Sequence, residues 1–434
     1  MDGAAPRRIL ALAGSAFVVL AAEPLYLLVD TAVVGHLGPK PLAGLGVGAA
    51  LMTLVLLLGT FLEYGTTSRA ARWYGAGQRD AAVNEGVQAG WLALSIGVAS
   101  IALGEALAGP LTSLLAGHSG SPVQQAAESW FRIAVVGLPG VMLVLGGNGW
   151  MRGIQETRQP VRIVLAANGV SAALSPLLVY SAGLGLRGSA VANVAGQAVG
   201  GFLFVRALLR TGVGMRPEWA VMRRQLVVGR DLMLRNVGFQ AAFLSAAGVA
   251  ARMGTAQVAA HQIALQLWEF AALVLDSFAI AAQSLVGAAL GGRDEEAARR
   301  TAWQVGVYGL WAGVGFGVFL AAGWYLLPQA FTSSPAVLKQ CHELWPWFVG
   351  MEPAAGLVFA LDGVLIGAGD VRFMRTLTLV AALGAFVPIN LAALHWHWGI
   401  GGVWAGLTAF VGVRLVGMLA RTRSSRWVVL GEQL

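Results

Sequence analysis

Two acidic residues lie inside the first long apolar segment of the chain, where a charged side chain is costly. Glu23 and Asp30 are seven residues apart, so on a helix they share one face and lie about 10.5 Å apart along its axis. An ionised side chain near the bilayer centre costs roughly 2.5–3.5 kcal/mol even on lenient insertion scales. Asp30 must therefore face a partner, a wet cavity or a proton. Tyr26 shares this face, and Pro24 should bend the helix beside it.

A second polar series lies on the predicted eighth helix. At 100° per residue its members fall within about 100° of arc: Gln262, Gln266, Glu269, Asp276 and Gln283. Such a face cannot point at lipid, so it lines a cavity or packs between helices, and both interpretations stay open. Glu352, next to Pro353 near the middle of its helix, is a further candidate for the cavity wall.

The composition places these residues in an integral membrane protein. Hydrophobic residues make up 57% of the 434 positions and charged residues only 12%, with a mean hydropathy of +0.70. These values exclude a soluble globular chain. Most of the 29 basic residues fall in every second loop, which predicts that both termini and the basic loops are cytoplasmic. The same asymmetry accounts for the net charge of +8 without a nucleic-acid partner.

The apolar runs predict an all-α protein with twelve transmembrane helices. Their expected bounds are 9–36, 43–70, 82–109, 124–150, 159–181, 187–211, 223–252, 257–290, 296–328, 336–366, 372–394 and 399–421. The expected organisation is an N-terminal six-helix bundle at 1–211, a cytoplasmic linker at 212–222, a C-terminal six-helix bundle at 223–421 and a cytoplasmic tail at 422–434.

The loops contain an internal repeat. VVGHLGPKPLA at 33–43 matches VAARMGTAQVA at 249–259, an offset of 216 residues, and a second loop pair matches at the same offset. Two more loop pairs match at an offset of 214, as do Pro139 and Pro353, which predicts a kinked helix in each half. Each repeat holds six helices, an even number, so the halves are parallel repeats.

Asp30 and Asp276 have no acidic counterpart in the internal repeat. Asp30 falls on Ala246, and Asp276 falls on Thr60. Because the fold does not demand a carboxylate at these positions, a functional role is favoured over a structural anchor. The anchor remains the alternative for Asp30.

Across essentially the whole chain the sequence resembles the multidrug and toxic compound extrusion (MATE) transporters, in their DinF-like branch. The stretches that carry the resemblance are EPLYLLVDTAVVGHLG (23–38), YGTTSRAARWYGAG (64–77), AAHQIALQLW (259–268), LVLDSFAIAAQSLVGAALG (273–291) and FALDGVLIGAGD (359–370). The resemblance implies a V-shaped pair of six-helix bundles with a central cavity and secondary active export driven by an ion gradient. It also implies that the first helix bends as Asp30 exchanges a proton.

The predicted fifth helix departs from the family pattern. Many members have an Asn followed four residues later by an Asp-Pro, whereas here the stretch contains Asn168, Ser171, Ser175 and Pro176. A sodium site built from two carboxylates is therefore disfavoured, and protons are the expected coupling ion, with sodium as the alternative. Asn168, Ser171 and Ser175 remain candidates for the cavity wall.

The expected function is that of an antiporter of the bacterial inner membrane that exports amphipathic, often cationic organic compounds in exchange for protons. Its expected partners are these compounds, protons and membrane lipid, and we expect a monomer without a cofactor or a metal. One alternative is a flippase for a lipid-linked precursor, which would want a basic cavity. Another is a membrane-embedded metal-dependent enzyme using His395 and His397, although these histidines alternate with tryptophans as in an interfacial aromatic belt.

Overall fold

The computed structural model describes residues 6–116 and 120–431, and within these ranges the chain is almost entirely helical, without β-strands. The α-helices are α1 (Pro6–Gly35), α2 (Pro39–Gly75), α3 (Arg79–Ala116), α4 (Pro122–Ala134), α5 (Leu138–Gly153), α6 (Arg158–Pro176), α7 (Leu186–Leu209), α8 (Trp219–Met253), α9 (Thr255–Gly291), α10 (Glu295–Ala322), α11 (Leu326–Phe331), α12 (Pro335–Gly367), α13 (Val371–Ala381), α14 (Val387–His395) and α15 (Gly399–Arg423). All twelve predicted helices form, some of them as two pieces.

Eleven helical segments of the described chain are long and apolar enough to cross a membrane. The seventh predicted helix, α8, forms over 35 residues but is not among them. Charged residues such as Arg230, Asp231 and Arg235 interrupt its apolar sequence. The prediction of an all-α integral membrane protein is confirmed.

Prolines explain where the predicted helices change geometry. The fourth predicted helix divides at a 3₁₀ turn, Val135–Gly137, directly before Pro139. The fifth passes into a π-helical turn, Leu177–Ser181, after Pro176. Proline lacks the backbone N–H and its ring crowds the preceding turn, so the α-helical hydrogen-bond ladder cannot continue unchanged. Pro24 and Pro353, by contrast, lie inside the continuous helices α1 and α12.

The backbone conformation of the loops repeats at the predicted offsets. Five pairs of residues have a positive φ in both halves: Gly38 and Gly254, Gly77 and Arg293, Gln155 and Gly369, Gly183 and His397, and Gly185 and Gly399. The first two pairs are 216 residues apart and the others 214. Gly38 and Gly254, at φ 114° and 145°, occupy a region that only glycine enters readily. The repeat is therefore structural as well as sequential.

The described chain divides into two compact units. The N-terminal unit is Val18–Gly229, and the C-terminal unit combines the described parts of Met1–Phe17 and Arg230–Leu434. In the N-terminal unit α2 and α3 pack on α5, and α6 packs on α7. In the C-terminal unit α12 is central and packs on α9, α10 and α15.

These unit boundaries differ from the predicted bundles at both ends of the chain. The start of α1 belongs to the C-terminal unit, where Ile9 and Leu12 are buried in the core. The predicted tail also packs there: Trp427 is buried in the same core, and the Gly431 amide donates to the Leu290 carbonyl at 3.0 Å. Residues 432–434 of that tail lie outside the described residues. A buried tryptophan explains why this segment is held against the bundle.

The predicted linker 212–222 belongs to the N-terminal unit and is hydrogen-bonded to α3. The Gln88 side chain donates to the Arg216 carbonyl at 2.9 Å and accepts from the Glu218 amide at 2.7 Å. The Trp91 indole donates to the Met215 carbonyl at 2.9 Å. These bonds satisfy backbone groups of residues 212–218, which have no secondary structure of their own, whereas residues 219–222 of the predicted linker already belong to α8.

Glycines let the helices of each unit approach backbone to backbone. A Cβ added at Gly149 of α5 would overlap the Glu63 carbonyl of α2, and one added at Gly363 of α12 would overlap the Ala279 carbonyl of α9. These two contacts occupy equivalent places in the repeat. Helices in lipid associate through such close packing, because lipid is as apolar as the helix surfaces that it would replace.

We expect Gly356→Leu to destabilise the protein by roughly 1–3 kcal/mol. A Cβ at Gly356 of α12 would overlap the Gly309 carbonyl of α10. Gly350→Leu is the matched control, because the same helix there faces open space. Denaturant unfolding in one detergent, followed by tryptophan fluorescence, measures both variants. Equal losses of stability would contradict the role assigned to this contact.

Candidate functional site

A cavity of about 380 Å³ lies within the N-terminal unit, between α1, α2, α4, α5, α6 and α7. Its wall is largely apolar, with residues such as Met52, Leu56 and Val144, and includes the ring of Trp130. Three carboxylates also line it, Glu23, Asp30 and Glu63, and no Lys, Arg or His is found among its described lining residues: Val19, Leu20, Glu23, Pro24, Tyr26, Leu27, Asp30, Ala49, Met52, Thr53, Leu56, Thr60, Glu63, Trp130, Val141, Val144, Leu145, Asn148, Val164, Ala167, Asn168, Asn193 and Gln197.

Asp30 is held by hydroxyl groups. It is 1% exposed, and it accepts hydrogen bonds from Ser175 Oγ of α6 at 2.7 Å and from Ser189 Oγ of α7 at 2.6 Å. Ser189 in turn accepts from the Trp130 indole at 3.2 Å. No ion pair to Asp30 is found in the described part of the chain. The carboxyl group is thus buried with two neutral partners and no compensating cation.

The rest of the Asp30 face of α1 also borders the cavity. Tyr26 is buried, and its hydroxyl accepts from Asn193 Nδ2 at 3.3 Å. Glu23 is half-buried on the wall and has no hydrogen-bond partner among the described residues. Pro24 lies beside it on the wall and gives no amide to the Leu20 carbonyl four residues earlier. This part of α1 therefore combines an unpaired acid with a weakened backbone ladder.

Glu63 differs from the other two acids because it has a cationic partner. The Arg152 guanidinium forms an ion pair with it, and both side chains are buried. The pair cancels most of the charge of Glu63. Glu23 and Asp30 are consequently the two acids of the cavity wall that have no cationic partner among the described residues.

The fifth-helix candidates fall on the same side of the unit. Asn168 of α6 lines the cavity, Ser175 donates to Asp30, and Ser171 is fully buried against α7, where a Cβ on Gly196 would overlap its hydroxyl. Of these three candidates for the cavity wall Asn168 lines the cavity, whereas Ser171 and Ser175 are buried and are not among its lining residues.

The polar stripe of the eighth predicted helix lies elsewhere, on α9 of the C-terminal unit. Gln262, Gln266 and Glu269 are exposed, Asp276 is half-buried and Gln283 is buried. None of these five residues lines the cavity of the N-terminal unit.

Glu352 is fully buried in α12, and neither of its carboxyl oxygens has a hydrogen-bond partner. It packs beside α10, where a Cβ on Gly313 would overlap its carbonyl oxygen. Its place is in the interior of the C-terminal unit and not on the wall of the described cavity.

An ionic cluster crosses the interior of the C-terminal unit. Arg235 of α8 and Arg414 of α15 both donate to Asp362 Oδ2 at 2.6 Å. Both guanidinium groups lie over the Phe239 ring, at 5.0 and 4.7 Å from its centroid. With two cations and one anion, the cluster carries an excess positive charge.

The histidines considered for metal chemistry lie at an exposed turn. His395 and His397 are exposed, and the neighbouring Trp396 and Trp398 rings lie 5.4 Å apart. Within residues 6–116 and 120–431 no group of three or more His, Cys, Asp or Glu side chains is arranged to hold a metal ion.

The structure adds residues to the site that the sequence reading missed. Ser189, Asn193 and Gln197 come from α7, and Asn148 comes from α5. A signal for Ser189 existed, because it falls on Val403 in the repeat just as Asp30 falls on Ala246. Positions that are polar in the first half and apolar at the equivalent place in the second half therefore indicate where the candidate site lies.

Comparisons with known proteins find similar sequences over most of the chain. The MatE family model matches residues 15–177 and 232–391. "Protein DETOXIFICATION 44, chloroplastic" of Arabidopsis thaliana is 31% identical over 438 residues, which covers 97% of this chain and 83% of the relative. "DNA damage-inducible protein F" of Escherichia coli (strain K12) is 32% identical over 414 residues, which covers 92% of this chain and 87% of the relative.

Solved structures share the fold. A MATE protein in the bent conformation superposes with a TM-score of 0.87 at 22% identity, covering 97% of this chain and 95% of that chain. A MOP superfamily transporter from Pyrococcus furiosus, reported with a binding pocket of reverse polarity and a suggested different function, superposes with a TM-score of 0.86 at 21% identity. That comparison covers 97% of this chain and 96% of the other.

A cysteine introduced at Thr53 should report the negative charge of the cavity. Thr53 is exposed on the cavity wall, and the native Cys341 is buried. We expect a cationic methanethiosulfonate to react with Thr53→Cys roughly tenfold faster than an anionic one, relative to the same ratio for the exposed control Ser181→Cys. The measurement is the labelling rate of each purified variant.

Adding Glu23→Gln and Asp30→Asn to the Thr53→Cys variant should bring its ratio down to that of the control. A ratio that stays unchanged in this triple variant would show that the two acids do not set the potential of the cavity.

Proposed function

The chain belongs to the MatE family, whose members are transporters and not enzymes, and we propose that it exports amphipathic organic cations in exchange for protons. The membership accounts for the multi-pass architecture and for its likeness to multidrug and toxic compound efflux proteins. The observation that carries the proposal is Asp30, a buried carboxyl group on the wall of a cavity that holds a second acid without a cationic partner, Glu23.

The hydroxyl partners of Asp30 support a proton as the coupling ion. A serine hydroxyl can donate or accept, whereas an arginine can only donate. When Asp30 takes up a proton, Ser175 can rotate to accept it and direct its own hydrogen to the Ser171 carbonyl, one helical turn earlier. Ser189 can keep donating to the other oxygen. Both protonation states of Asp30 are thus satisfied without moving a helix backbone.

Proton uptake also links Asp30 to the shape of α1. The Leu20 carbonyl receives no intrahelical bond from Pro24, so the helix is easiest to bend on the Glu23 side of Asp30. A change of charge at Asp30 alters how strongly the far end of α1 is held to α6 and α7. We propose that this change makes the affinity of the cavity for a cation depend on the proton.

Sodium is the weaker candidate for the coupling ion. A sodium ion would need several oxygen ligands converging on one point, and the oxygens hydrogen-bonded to Asp30 in the described chain are two hydroxyls. The next acid on the same helix face, Glu23, is seven residues away. The sequence also disfavours sodium, because serines stand where many family members have the second acid.

The wall of the cavity supports an amphipathic cation as the substrate. A volume of about 380 Å³ is in the range of small-molecule sites. Aromatic faces of Tyr26 and Trp130 can contact a cation, and Glu23 and Asp30 attract it over distance. The apolar residues of the wall would contact the rest of the compound.

We propose a location in a bacterial inner membrane with both termini in the cytoplasm. The relative in Escherichia coli supports a bacterial setting, and the basic residues in every second loop support the orientation. A monomer is sufficient for this proposal, since the cavity lies within one unit of one chain.

Export of an anionic compound, such as a lipid-linked precursor, is the second candidate. It is favoured by the excess positive charge of Arg235, Asp362 and Arg414 in the C-terminal unit. The chain also shares its fold with the Pyrococcus furiosus transporter that is reported to have a binding pocket of reverse polarity. The acidic cavity of the N-terminal unit favours the cation, and we rank the cation first.

Export from proteoliposomes under an imposed pH gradient tests the proposal. We expect wild-type protein to move a cationic dye against its gradient, and Asp30→Asn to lower the initial rate at least tenfold, because an amide cannot carry the proton. Asp80→Asn, the same change at an exposed residue of α3, should transport like the wild type.

Two further arms separate the alternatives. A sodium gradient without a pH gradient should drive no export, and an anionic lipid analogue should not be moved. Normal transport by Asp30→Asn would refute the role of Asp30, and export driven by sodium alone would refute proton coupling.

A further inference from the structure

A groove on the surface of the C-terminal unit lies between α8 and α13, with a volume of about 660 Å³. Its walls are apolar and exposed, with Leu234 on α8 and Val380 and Leu383 on the α13 side, at 45%, 56% and 66% exposure. Gly384, in the π-helical turn Ala382–Phe386 that follows α13, forms its far end. We call this the α8/α13 groove.

The near end of the groove is basic. Arg375 lines it and donates to Asp231 at 2.7 Å, while Asp231 itself is 1% exposed. Arg230 and Arg372 approach the same carboxylate at 3.3 and 3.9 Å, and their side chains are 60% and 78% exposed. Three guanidinium groups therefore share one carboxylate. Two positive charges are left without an anion in this cluster.

The two ends are separated by a distance that suits one leaflet. Arg372 and Leu383 lie 11 residues apart along helical backbone, which corresponds to about 16 Å. Half of the hydrocarbon thickness of a bilayer is about 15 Å. A lipid with its phosphate at the arginines would thus lay an acyl chain along the whole apolar wall.

We propose that the α8/α13 groove binds one glycerophospholipid with an anionic headgroup, such as phosphatidylglycerol. The exposed Arg230 and Arg372 would bind the phosphate, and the groove past Arg375 would hold an acyl chain. Basic pockets between membrane helices on the cytoplasmic side are a recognised way of binding anionic headgroups. The charge pattern of the loops places Arg372 and Arg375 on that side.

The position of the groove gives the lipid a consequence. Leu234 of α8 lines the groove, and the adjacent residue, Arg235, donates to the buried Asp362. Gly238, one turn further, packs against Leu379 of the groove wall, where a Cβ would lie 2.9 Å from the leucine side chain. A bound lipid would therefore stabilise the packing of α8 on α13 within the C-terminal unit.

Native mass spectrometry of the purified full-length protein, titrated with phosphatidylglycerol in detergent, tests the headgroup. Arg230→Gln with Arg372→Gln should weaken the first binding event roughly thirtyfold. Asp231 keeps Arg375 as a partner in this variant, so the fold is spared. The matched control is Arg299→Gln with Arg300→Gln, which removes the same charge from α10 and should stay within twofold of wild type.

The acyl chain is tested by filling the groove. A Cβ at Gly384 meets open space, so Gly384→Leu should fold normally, occupy the groove and weaken binding about tenfold. Gly350→Leu, at another open position, is the control and should leave binding unchanged.

The same titration distinguishes a lipid phosphate from free inorganic phosphate, and an anionic lipid from other occupants of the groove. Excess inorganic phosphate should not displace the lipid, and phosphatidylcholine should bind at least tenfold more weakly. Equal binding of the two lipids, equal effects of the test and control variants, displacement by inorganic phosphate, or retention of a second copy of the chain in place of lipid would each overturn the proposal.

Discussion

The contact of glycine with the backbone of a neighbouring helix is the constraint on which both units depend. Three such contacts recur at the repeat offsets: Gly97 on Pro139 and Gly313 on Pro353, Gly149 on Glu63 and Gly363 on Ala279, and Gly153 on Thr67 and Gly367 on Gln283. In a bilayer no hydrophobic force draws helices together, so association relies on such close approach. The glycines thus define the same helix frame twice, whatever the neighbouring side chains are.

On this shared frame the polar residues are free to differ. Asp30 and Ser189 in one half correspond to Ala246 and Val403 in the other, and Glu63 corresponds to Ala279. The first half therefore has a cavity lined by acids, whereas the corresponding interior of the second includes the buried aromatic residues Trp345, Phe348 and Trp404. Asp362 of the second half corresponds to Asn148 on the cavity wall of the first and is neutralised by two arginines. The two halves have the same architecture but carry their buried charged residues at different places.

Much of the fold followed from the sequence because it depends on local signals. Apolar runs predicted the helices, and loop matches predicted the repeat. The structure shows the repeat in the backbone too, since Gly38 and Gly254 both have a positive φ. The partners of Asp30 were harder to predict, because Ser189 lies 159 residues away and its contact depends on how α7 packs beside α1. The buried Trp427 was missed for a similar reason: the segment after the last helix, which contains WVVL at 427–430, is too short to carry a periodic signal, and only the packed bundle shows what covers it.

The contrast between Asp30 and Glu63 explains why one acid suits coupling better than the other. Glu63 is buried with Arg152, and removing its charge would leave a buried guanidinium without its ion pair, which is strongly unfavourable. Protonation of Glu63 is therefore opposed by its partner in this structure. Asp30 has neutral hydroxyls that serve the acid and the carboxylate alike. The proposed coupling needs a group whose two states are both tolerated, and among the three acids of the cavity wall Asp30 best meets this requirement.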